Sequence, residues 1–304
     1  MTTQPNAIPE SHAEARIAPL AIPESRQLYW CLKRELWEYR SIYTAPLAVA
    51  GVFLLAFIFG SVHYRDKVQA AAATGSAQLH AAIVDPFNFA ALLIMGVTTL
   101  IGVFYSLDAL HGERRDRSVL FWKSLPVSDL TTVVSKAIVP IVVLQLVGLG
   151  VTLATHWIML LISSIVVPGG SVSVGALWAD IPQMWLVLLY HFIGIHGLWF
   201  APFYGWFLLV SAWARRAPFL WAFLPPMAIV GVEWIAFGTS RFAKILAWQL
   251  RAAPDVATFP PTMHSTMHMS PAPFLISPAL WIGLAITAAF LLLATRVRRD
   301  GGPI

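Results

Sequence analysis

The sequence predicts an all-α, polytopic membrane protein with six transmembrane helices, and three observations support this fold class. Hydrophobic residues make up 58% of the 304-residue chain and charged residues only 12%, whereas a soluble domain carries about 25% charged residues. Six apolar runs reach the roughly 20 residues that a helix needs to cross a bilayer. Lys and Arg are concentrated between alternate runs, as expected for a chain that crosses a membrane repeatedly. The composition therefore excludes an ordinary soluble domain.

The six spans are predicted from hydropathy alone. They cover residues 42–62, 87–107, 137–162, 184–213, 219–237 and 274–295. Pro202 predicts a kink in the fourth span, and Pro225 and Pro226 predict a bend in the fifth. The Ala-rich segment 63–86 is expected to prolong the helices on either side of it.

The basic residues predict the orientation of the chain. With the N-terminus inside, fifteen of the 20 Lys and Arg residues fall in inner segments, which indicates that both termini are cytoplasmic. Membrane lipid then surrounds the chain, and we expect it in the inner (cytoplasmic) membrane of a bacterium. The net charge of +5 follows from this bias and gives no reason to expect nucleic-acid binding.

The segments outside the spans divide the chain further. Residues 1–24 are rich in proline and predict a disordered cytoplasmic tail without the features of a signal peptide. Residues 25–298 form the transmembrane domain, which begins with an amphipathic interfacial helix at 27–40, and residues 299–304 form a second cytoplasmic tail. Leu28, Leu32 and Leu36 recur every four residues in that first helix.

The cytoplasmic segment 108–129 is the strongest indication of function. It places charged residues before an apolar block, and the residues with predicted roles in docking are Glu113, Arg114, Arg115, Arg117, Leu120, Phe121 and Trp122. Leu125-Pro126 should end this helix, because the residue before a proline avoids the α region. Ser128 or Asp129 can cap the next helix. We therefore predict a helix, a break and a second helix that a partner could move together with two spans.

This segment resembles the cytoplasmic signature of type-2 ABC-transporter permeases, a pattern close to E-R-E-x-G-T-L-x-x-L-x-x-x-P-V-S with a basic residue some eight positions later. This chain has, in that order, Glu113, Arg114, Arg115, Ser118, Leu120, Leu125, Pro126, Val127, Ser128 and Lys136. The block KRELWEYR before the first span is similar to the connecting helix of that family. Arg117 stands where the family often has Gly, so we expect a more continuous helix there.

The resemblance implies a membrane subunit of an ABC exporter. Residues 113–123 would dock on a separate ATPase subunit, present in two copies, and ATP and Mg would bind to that partner. A second permease copy, identical or a sister chain, would complete the membrane domain. The sequence contains no Gly-Lys pair and therefore no P-loop, so we expect this chain to be neither an enzyme nor the holder of a cofactor.

Polar residues inside spans are candidates for a substrate pathway, because burying them in a bilayer is costly. They are Glu233, His191, His196 and Gln145. Glu233 is expected to contact substrate or to pair locally with Arg241. In an α-helix His191 and His196 would point about 140° apart, which predicts that each bonds to a neighbouring helix.

The outer loop 238–273 carries the sequence TMHSTMHMS. Its spacing would place His264, Met267 and His268 on one helix face, and imidazole and thioether ligands suit copper. Flanking prolines instead favour an irregular loop. Residues 241–251 predict a short helix at the outer surface.

Four functions therefore follow as hypotheses. The first is a permease that exports an apolar or amphiphilic substrate, since its spans are rich in Phe, Trp, Leu and Met. The second is an anchor or sensor subunit that binds an ATPase but transports nothing. The third is a copper-linked permease, and the fourth is a membrane enzyme or redox subunit.

Overall fold

The protein is described by a computed structural model that covers residues 23–124, 127–168, 172–250 and 271–301, without the side chains at 24, 122–124 and 271–273. Its regular elements are helices. The first half contains α1 (Glu24–Glu38), α2 (Ser41–Thr74), α3 (Ser76–Asp108), α4 (His111–Arg115), α5 (Ser118–Ser124) and α6 (Asp129–Ile138). The second half contains the π-helical segment π1 (Val139–Val143), then α7 (Leu144–Val166), α8 (Val174–Trp178), α9 (Ile181–Leu189), a second π-helical segment π2 (Tyr190–Trp199), α10 (Ala201–Trp213), α11 (Pro218–Phe237), α12 (Arg241–Leu250), α13 (Pro271–Ile276) and α14 (Pro278–Asp300).

Six helical stretches in the described residues are long and apolar enough to cross a membrane, which confirms the predicted number of candidate spans. They are Ser41–Thr74, Ser76–Arg115, Asp129–Val166, Val174–Trp199, Pro218–Phe237 and Pro278–Asp300. The protein is thus a multi-pass membrane protein by the length and composition of its helices.

The first two spans are much longer than a bilayer requires. A 34-residue helix such as α2 is about 51 Å long, compared with a hydrocarbon thickness of about 30 Å. Only Gly75, whose φ of 151° favours glycine, separates α2 from α3. The predicted extension of both helices through 63–86 is therefore confirmed. Tyr64 and Val68 in the extension pack in the same core cluster as Leu177 of α8.

The fourth span is interrupted near the proline that predicted a kink. The structure has α9, then π2, a turn at Phe200, and α10. Pro202 lies in the first turn of α10, where the missing N–H of proline costs no helical hydrogen bond. α11, in contrast, continues as one helix through Pro225 and Pro226.

The core lies among α2, α3, α7, α10 and α14. One cluster of buried side chains joins α2, α3 and α7 with the segment after α7. A second cluster lies where α1, α6, α10 and α14 meet the end of α3, and it includes Ile42, Tyr105, Val133, Leu208 and Ala294. Leu32 and Leu36 of α1 pack against this second cluster. The leucine stripe of the predicted interfacial helix therefore faces protein.

A second edge of α1, about 100° around the helix from the leucines, is exposed and aromatic. Tyr29, Trp30 and Trp37 are each more than half exposed, and the ammonium group of Lys33 lies 5.0 Å from the ring centroids of both tryptophans. Trp and Tyr favour the headgroup region of a bilayer. This edge of α1 is therefore the one suited to a membrane interface.

Candidate functional site

The short helix α4 is attached to the end of α10 by hydrogen bonds at its first residues. The hydroxyl of Ser211 accepts from the backbone N–H groups of Leu110 (3.0 Å) and His111 (2.9 Å). The guanidinium of Arg114 donates to the carbonyl oxygen of Ala212 at 2.5 Å. These contacts fix the direction in which α4 leaves the bundle.

Glu113 of α4 is buried among cations from three other helices. Its carboxylate lies 2.6 Å from Arg34 of α1 and 3.2 Å from Lys136 of α6, and it also pairs with Arg298 of α14. Only 4% of Glu113 is exposed. One carboxylate thus connects four helices that lie far apart in the sequence.

Glu35 of α1 forms the second centre of the same network. Its carboxylate accepts from Lys136 at 2.8 Å, from Arg34 at 2.8 Å and from the hydroxyl of Tyr105 at 2.8 Å. Glu35 and Lys136 are each 1% exposed. Because both partners of this ion pair are removed from water, each needs the other to offset the cost of its burial.

Apart from the half-exposed Glu38, which lies 3.5 Å from Arg34, the network is balanced in charge. Asp129, the first residue of α6, adds a third carboxylate and lies 3.0 Å from the guanidinium of Arg298. Three carboxylates therefore face three cations, and we call this set of six residues the charge hub. It consists of Glu35, Glu113, Asp129, Arg34, Lys136 and Arg298.

The ionisation of residues on α1 and next to it fits this arrangement. Burial opposes the charged form of Arg34, but the carboxylates of Glu35 and Glu113 outweigh it and raise the pKa of this guanidinium. Burial, followed by the charge of Asp108, raises the pKa of the Tyr39 phenol. Tyr39 therefore stays protonated and donates to Asp108 at 3.1 Å.

The charge hub also brings the two ends of the described chain together. α1 contributes Arg34 and Glu35, while the last turn of α14 contributes Arg298. Both elements therefore lie at the same end of the bundle, as an even number of spans requires. This is the end that the sequence predicts to be cytoplasmic.

The residues predicted to dock on a partner fall into two groups. Glu113 is buried in the charge hub, so it is not presented to a partner, and this part of the prediction is revised. Arg114 is partly buried against α10. Leu120 and Phe121 of α5 are 58% and 60% exposed, and they form with their helix what we call the α5 face.

Three more predicted docking residues remain, namely Arg115, Arg117 and Trp122. Arg115 is exposed and pairs with Asp116 at 3.0 Å. Arg117 is exposed between α4 and α5. The side chain of Trp122, and the break expected at Leu125-Pro126, lie outside the described residues.

Arg117 interrupts the helix that was expected to be continuous. Its φ is 57°, in the left-handed region, where a residue with a Cβ costs about 1–2 kcal/mol. The expectation of a more continuous helix was therefore wrong, because the chain turns at Arg117. A left-handed turn also explains why glycine would suit the same position.

The segment after the turn is anchored on one side. Val119 of α5 is 1% exposed, so it points into the protein while its two successors point out. α6 begins after Ser128, whose hydroxyl accepts from the N–H of Thr131 at 3.0 Å, and the predicted cap is confirmed at Ser128. α6 thus has a fixed N-terminus.

The histidines of the fourth span each form a hydrogen bond within that span, where a bond to a neighbouring helix was expected. His191 bonds the carbonyl of Val187 at 2.9 Å, and His196 bonds the carbonyl of His191 at 3.0 Å. Both acceptors belong to the same span: Val187 lies four residues before His191, and His191 lies five residues before His196, a separation that a π-helix brings together. The predicted angle of 140° assumed an α-helix and was wrong.

Gln145 also acts within its own span. Its amide donates to the carbonyl of Pro140 at 2.9 Å, in the π-helical segment that surrounds this proline. This hydrogen bond joins two residues of the third span. His156, in contrast, does bond across, to the carbonyl of Phe87 on α3 at 3.0 Å.

The two π-helical segments cross closely in the middle of the bundle. A Cβ built on Gly197 of π2 would lie 2.7 Å from the carbonyl oxygen of Ile141 in π1, so only glycine fits this contact. π-helical segments are rare and are often found at functional sites. The crossing therefore places two irregular stretches of spans three and four next to each other.

Glu233 bonds locally at the far end of α11. Its carboxylate accepts from the hydroxyl of Thr239 at 2.7 Å and from the backbone N–H groups of Arg241 (2.6 Å) and Phe242 (2.8 Å). It thus caps α12, the short helix predicted at the outer surface. The candidate copper ligands His264, Met267 and His268 lie outside the described residues.

Sequence reasoning did not identify Glu35, Lys136 and Arg298 as one site. One signal was present, because Lys136 interrupts an otherwise apolar run, VVSKAIVP. A lone cation within a span requires a partner or a function.

Comparison with known proteins does not extend the description. No protein-family model matches this chain, and no curated protein or solved structure matches it significantly. The class of protein defined by fold and site is a multi-pass helical membrane protein with a buried charge hub at one end.

Proposed function

We propose that this chain is the membrane-spanning permease subunit of an ABC transporter, and that it exports an apolar or amphiphilic substrate. ATP and Mg act on two copies of a separate ATPase subunit, and a second permease copy, identical or a sister chain, faces this one in the bilayer. The similarity of residues 113–136 to the signature of type-2 ABC permeases, together with the six candidate spans, supports the proposal.

The observation that carries the proposal is the position of the α5 face beside the charge hub. Leu120 and Phe121 are apolar side chains exposed at the end of the bundle predicted to be cytoplasmic. α4, which immediately precedes them, is joined through Glu113 to α1, α6 and α14. Force applied to the α5 face would therefore reach several helices through one compact set of ion pairs.

The division of labour differs from the one that the sequence predicted. The α5 face binds the ATPase, while Glu113 transmits the displacement from inside the protein. A variant at Glu113 should impair folding, and a variant at Leu120 should impair partner binding alone.

Co-purification tests this assignment. The chain is co-expressed with the ABC ATPase encoded nearest to it, and Leu120→Asp is compared with Leu130→Asp, which changes an exposed leucine of α6. Leu120→Asp should insert normally and lose the ATPase, because a carboxylate in an apolar contact must be desolvated. Leu130→Asp should retain it. Retention of the ATPase by both variants would refute the assignment of the α5 face.

A second experiment separates a permease from a non-transporting anchor. Both would bind the ATPase, but only a permease should accelerate ATP hydrolysis when its substrate is present. The complex is reconstituted in liposomes and its ATPase rate is measured with and without a panel of amphiphiles. A rate that no amphiphile changes, together with no movement of labelled amphiphile, would favour the anchor.

A further inference from the structure

A groove of about 580 Å³ lies between the last turns of α11 and the first turns of α12. This volume falls within the roughly 300–1,000 Å³ of sites that hold small ligands. The groove is lined by Ala228, Ile229, Val232, Glu233, Phe237, Arg241, Phe242 and Ile245. Most of this surface is therefore apolar, with an acidic and a basic residue among the lining side chains.

The two walls of the groove are held in place at both ends of α12. At its start, Glu233 accepts from the backbone N–H groups of Arg241 and Phe242. Near its end, the carbonyl of Gln249 accepts from the indole of Trp199, and the amide of Gln249 donates to the carbonyl of Trp199 at 2.7 Å. Hydrogen bonds at both ends of α12 therefore hold the two walls of the groove in fixed positions.

The charges beside the groove have a net positive sign. Arg241 lines it, and Lys244 lies three residues further along α12 and so on a neighbouring part of the same face; both are exposed. Within the described part of the chain, neither forms an ion pair. Glu233 is the one carboxylate that lines the groove, and three hydrogen bonds already occupy it.

The position of the groove indicates what fills it. α11 starts close to the α4 end of the bundle, and its 20 residues carry the chain about 30 Å away, the thickness of the hydrocarbon core. The groove therefore lies at the opposite membrane surface, with apolar walls at the depth of acyl chains and two cations at the depth of headgroups. A soluble anion would leave the apolar walls uncovered.

We propose that this groove binds a phospholipid with a net negative headgroup, with one acyl chain against α11 and the phosphate at Arg241 and Lys244. The proposal is independent of any ATPase partner, because it uses only residues of α11 and α12, at the end of the bundle opposite the α5 face. It assigns to Glu233 the role of holding α12 in place.

Photolabelling in lipid nanodiscs tests the proposal. Two probes carry the same diazirine-bearing acyl chain, one on phosphatidylglycerol and the other on phosphatidylcholine, and labelled peptides are mapped by mass spectrometry. Phosphatidylglycerol should label 228–245 more strongly. Each cation near an anionic lipid contributes about a fivefold preference, so Arg241→Gln with Lys244→Gln should bring the two probes to equal labelling.

A matched pair of variants tests the apolar walls. Ile229→Trp fills the groove and should reduce labelling of 228–245 by both probes. Ile235→Trp, on the same helix and 79% exposed outside the groove lining, should change nothing. If Ile229→Trp does not fold, Ile245→Trp fills the groove from the other wall. Equal labelling by both probes in the unaltered protein, or labelling that survives a filled groove, would overturn the proposal.

Discussion

The charge hub and α11 show two opposite ways of placing a helix in this protein. At the hub, ionised side chains from four helices are buried against one another. Within Pro218–Phe237, all of which the structure describes, Ala222 is the single buried residue. The hub thus depends on specific partners, whereas α11 presents an apolar surface that lipid or another protein can cover. Substitutions should therefore be tolerated very differently in the two regions.

Removing one charge from the hub should give the largest effect. Lys136→Met removes one of the two cations that contact both Glu35 and Glu113, the other being Arg34, and breaking a buried ion pair costs about 3–5 kcal/mol. We expect the free energy of unfolding in detergent to fall by about this amount. Lys67→Met, at an exposed position of α2, is the control and should change stability by less than about 0.5 kcal/mol.

A double variant distinguishes charge balance from packing in the hub. Glu35→Gln together with Lys136→Met removes one charge of each sign. The double variant should lose less stability than the sum of the two single variants, since the remaining charges are again balanced. Additive losses would indicate that the side chains matter for their shape alone.

Truncation of leucines sharpens the comparison between buried and exposed helices. Leu208→Ala in α10 empties a position that is 0% exposed and should cost about 2–5 kcal/mol. Leu224→Ala in α11 truncates a side chain that is 56% exposed, and its cost should stay below about 0.5 kcal/mol. Thermal unfolding of the two variants checks this, and equal losses would show that α11 is packed as tightly as α10.

Between the two regions, the crossing of π1 and π2 should be sensitive to a single methyl group. Gly197→Ala brings a Cβ to 2.7 Å from the Ile141 carbonyl, and such overpacking costs about 1–3 kcal/mol. Gly51→Ala is the matched control, because nothing lies within 4 Å of its Cβ. It should be neutral or slightly stabilising in a helix. A neutral Gly197→Ala would contradict the close crossing.

The smallest expected effect is at the turn beside the hub. Arg117→Gly relieves a left-handed backbone and should raise the free energy of unfolding by about 1 kcal/mol. Arg115→Gly, at the last residue of α4, should lower it by less than about 1 kcal/mol, the cost of glycine in a helix interior. Changes of opposite sign in the free energy of unfolding for these two arginines would indicate a left-handed turn at Arg117. A loss of stability in both variants would argue against that turn.

The spans, and the cap at Ser128, could be predicted because they depend on local composition. Hydropathy over 20 residues identifies a candidate span, and a serine before a helix accepts from the third N–H. The extended hairpin of α2 and α3 was also predictable, from the many alanines of 63–86.

The charge hub could not be predicted, because it depends on the distance between helices and not on sequence spacing. Glu35 and Lys136 are 101 residues apart, and Glu113 and Arg298 are 185 apart. Periodicity places a side chain on a face of its own helix and says nothing about which helix covers that face. Glu113 therefore looked in the sequence like its exposed neighbour Arg115, although it is buried in the structure.

The angle predicted between His191 and His196 of the fourth span was wrong for a different reason. Their predicted geometry assumed 3.6 residues per turn, and the span is π-helical between Tyr190 and Trp199. Nothing in the local sequence YHFIGIHGLW marks a change of helical period. The close contact at Gly197 depends on where π1 lies relative to π2, which the local sequence does not indicate.

Site-specific crosslinking shows directly whether the α5 face contacts an ATPase. The chain contains one cysteine, Cys31, so Cys31→Ser provides a background in which Phe121→Cys, or Val174→Cys at the other end of the bundle, is the single thiol. Each variant is co-expressed with the ATPase and treated with a short bismaleimide. We expect a crosslink to the ATPase from position 121 and none from position 174. A complex that forms without any crosslink from position 121 would contradict this expectation.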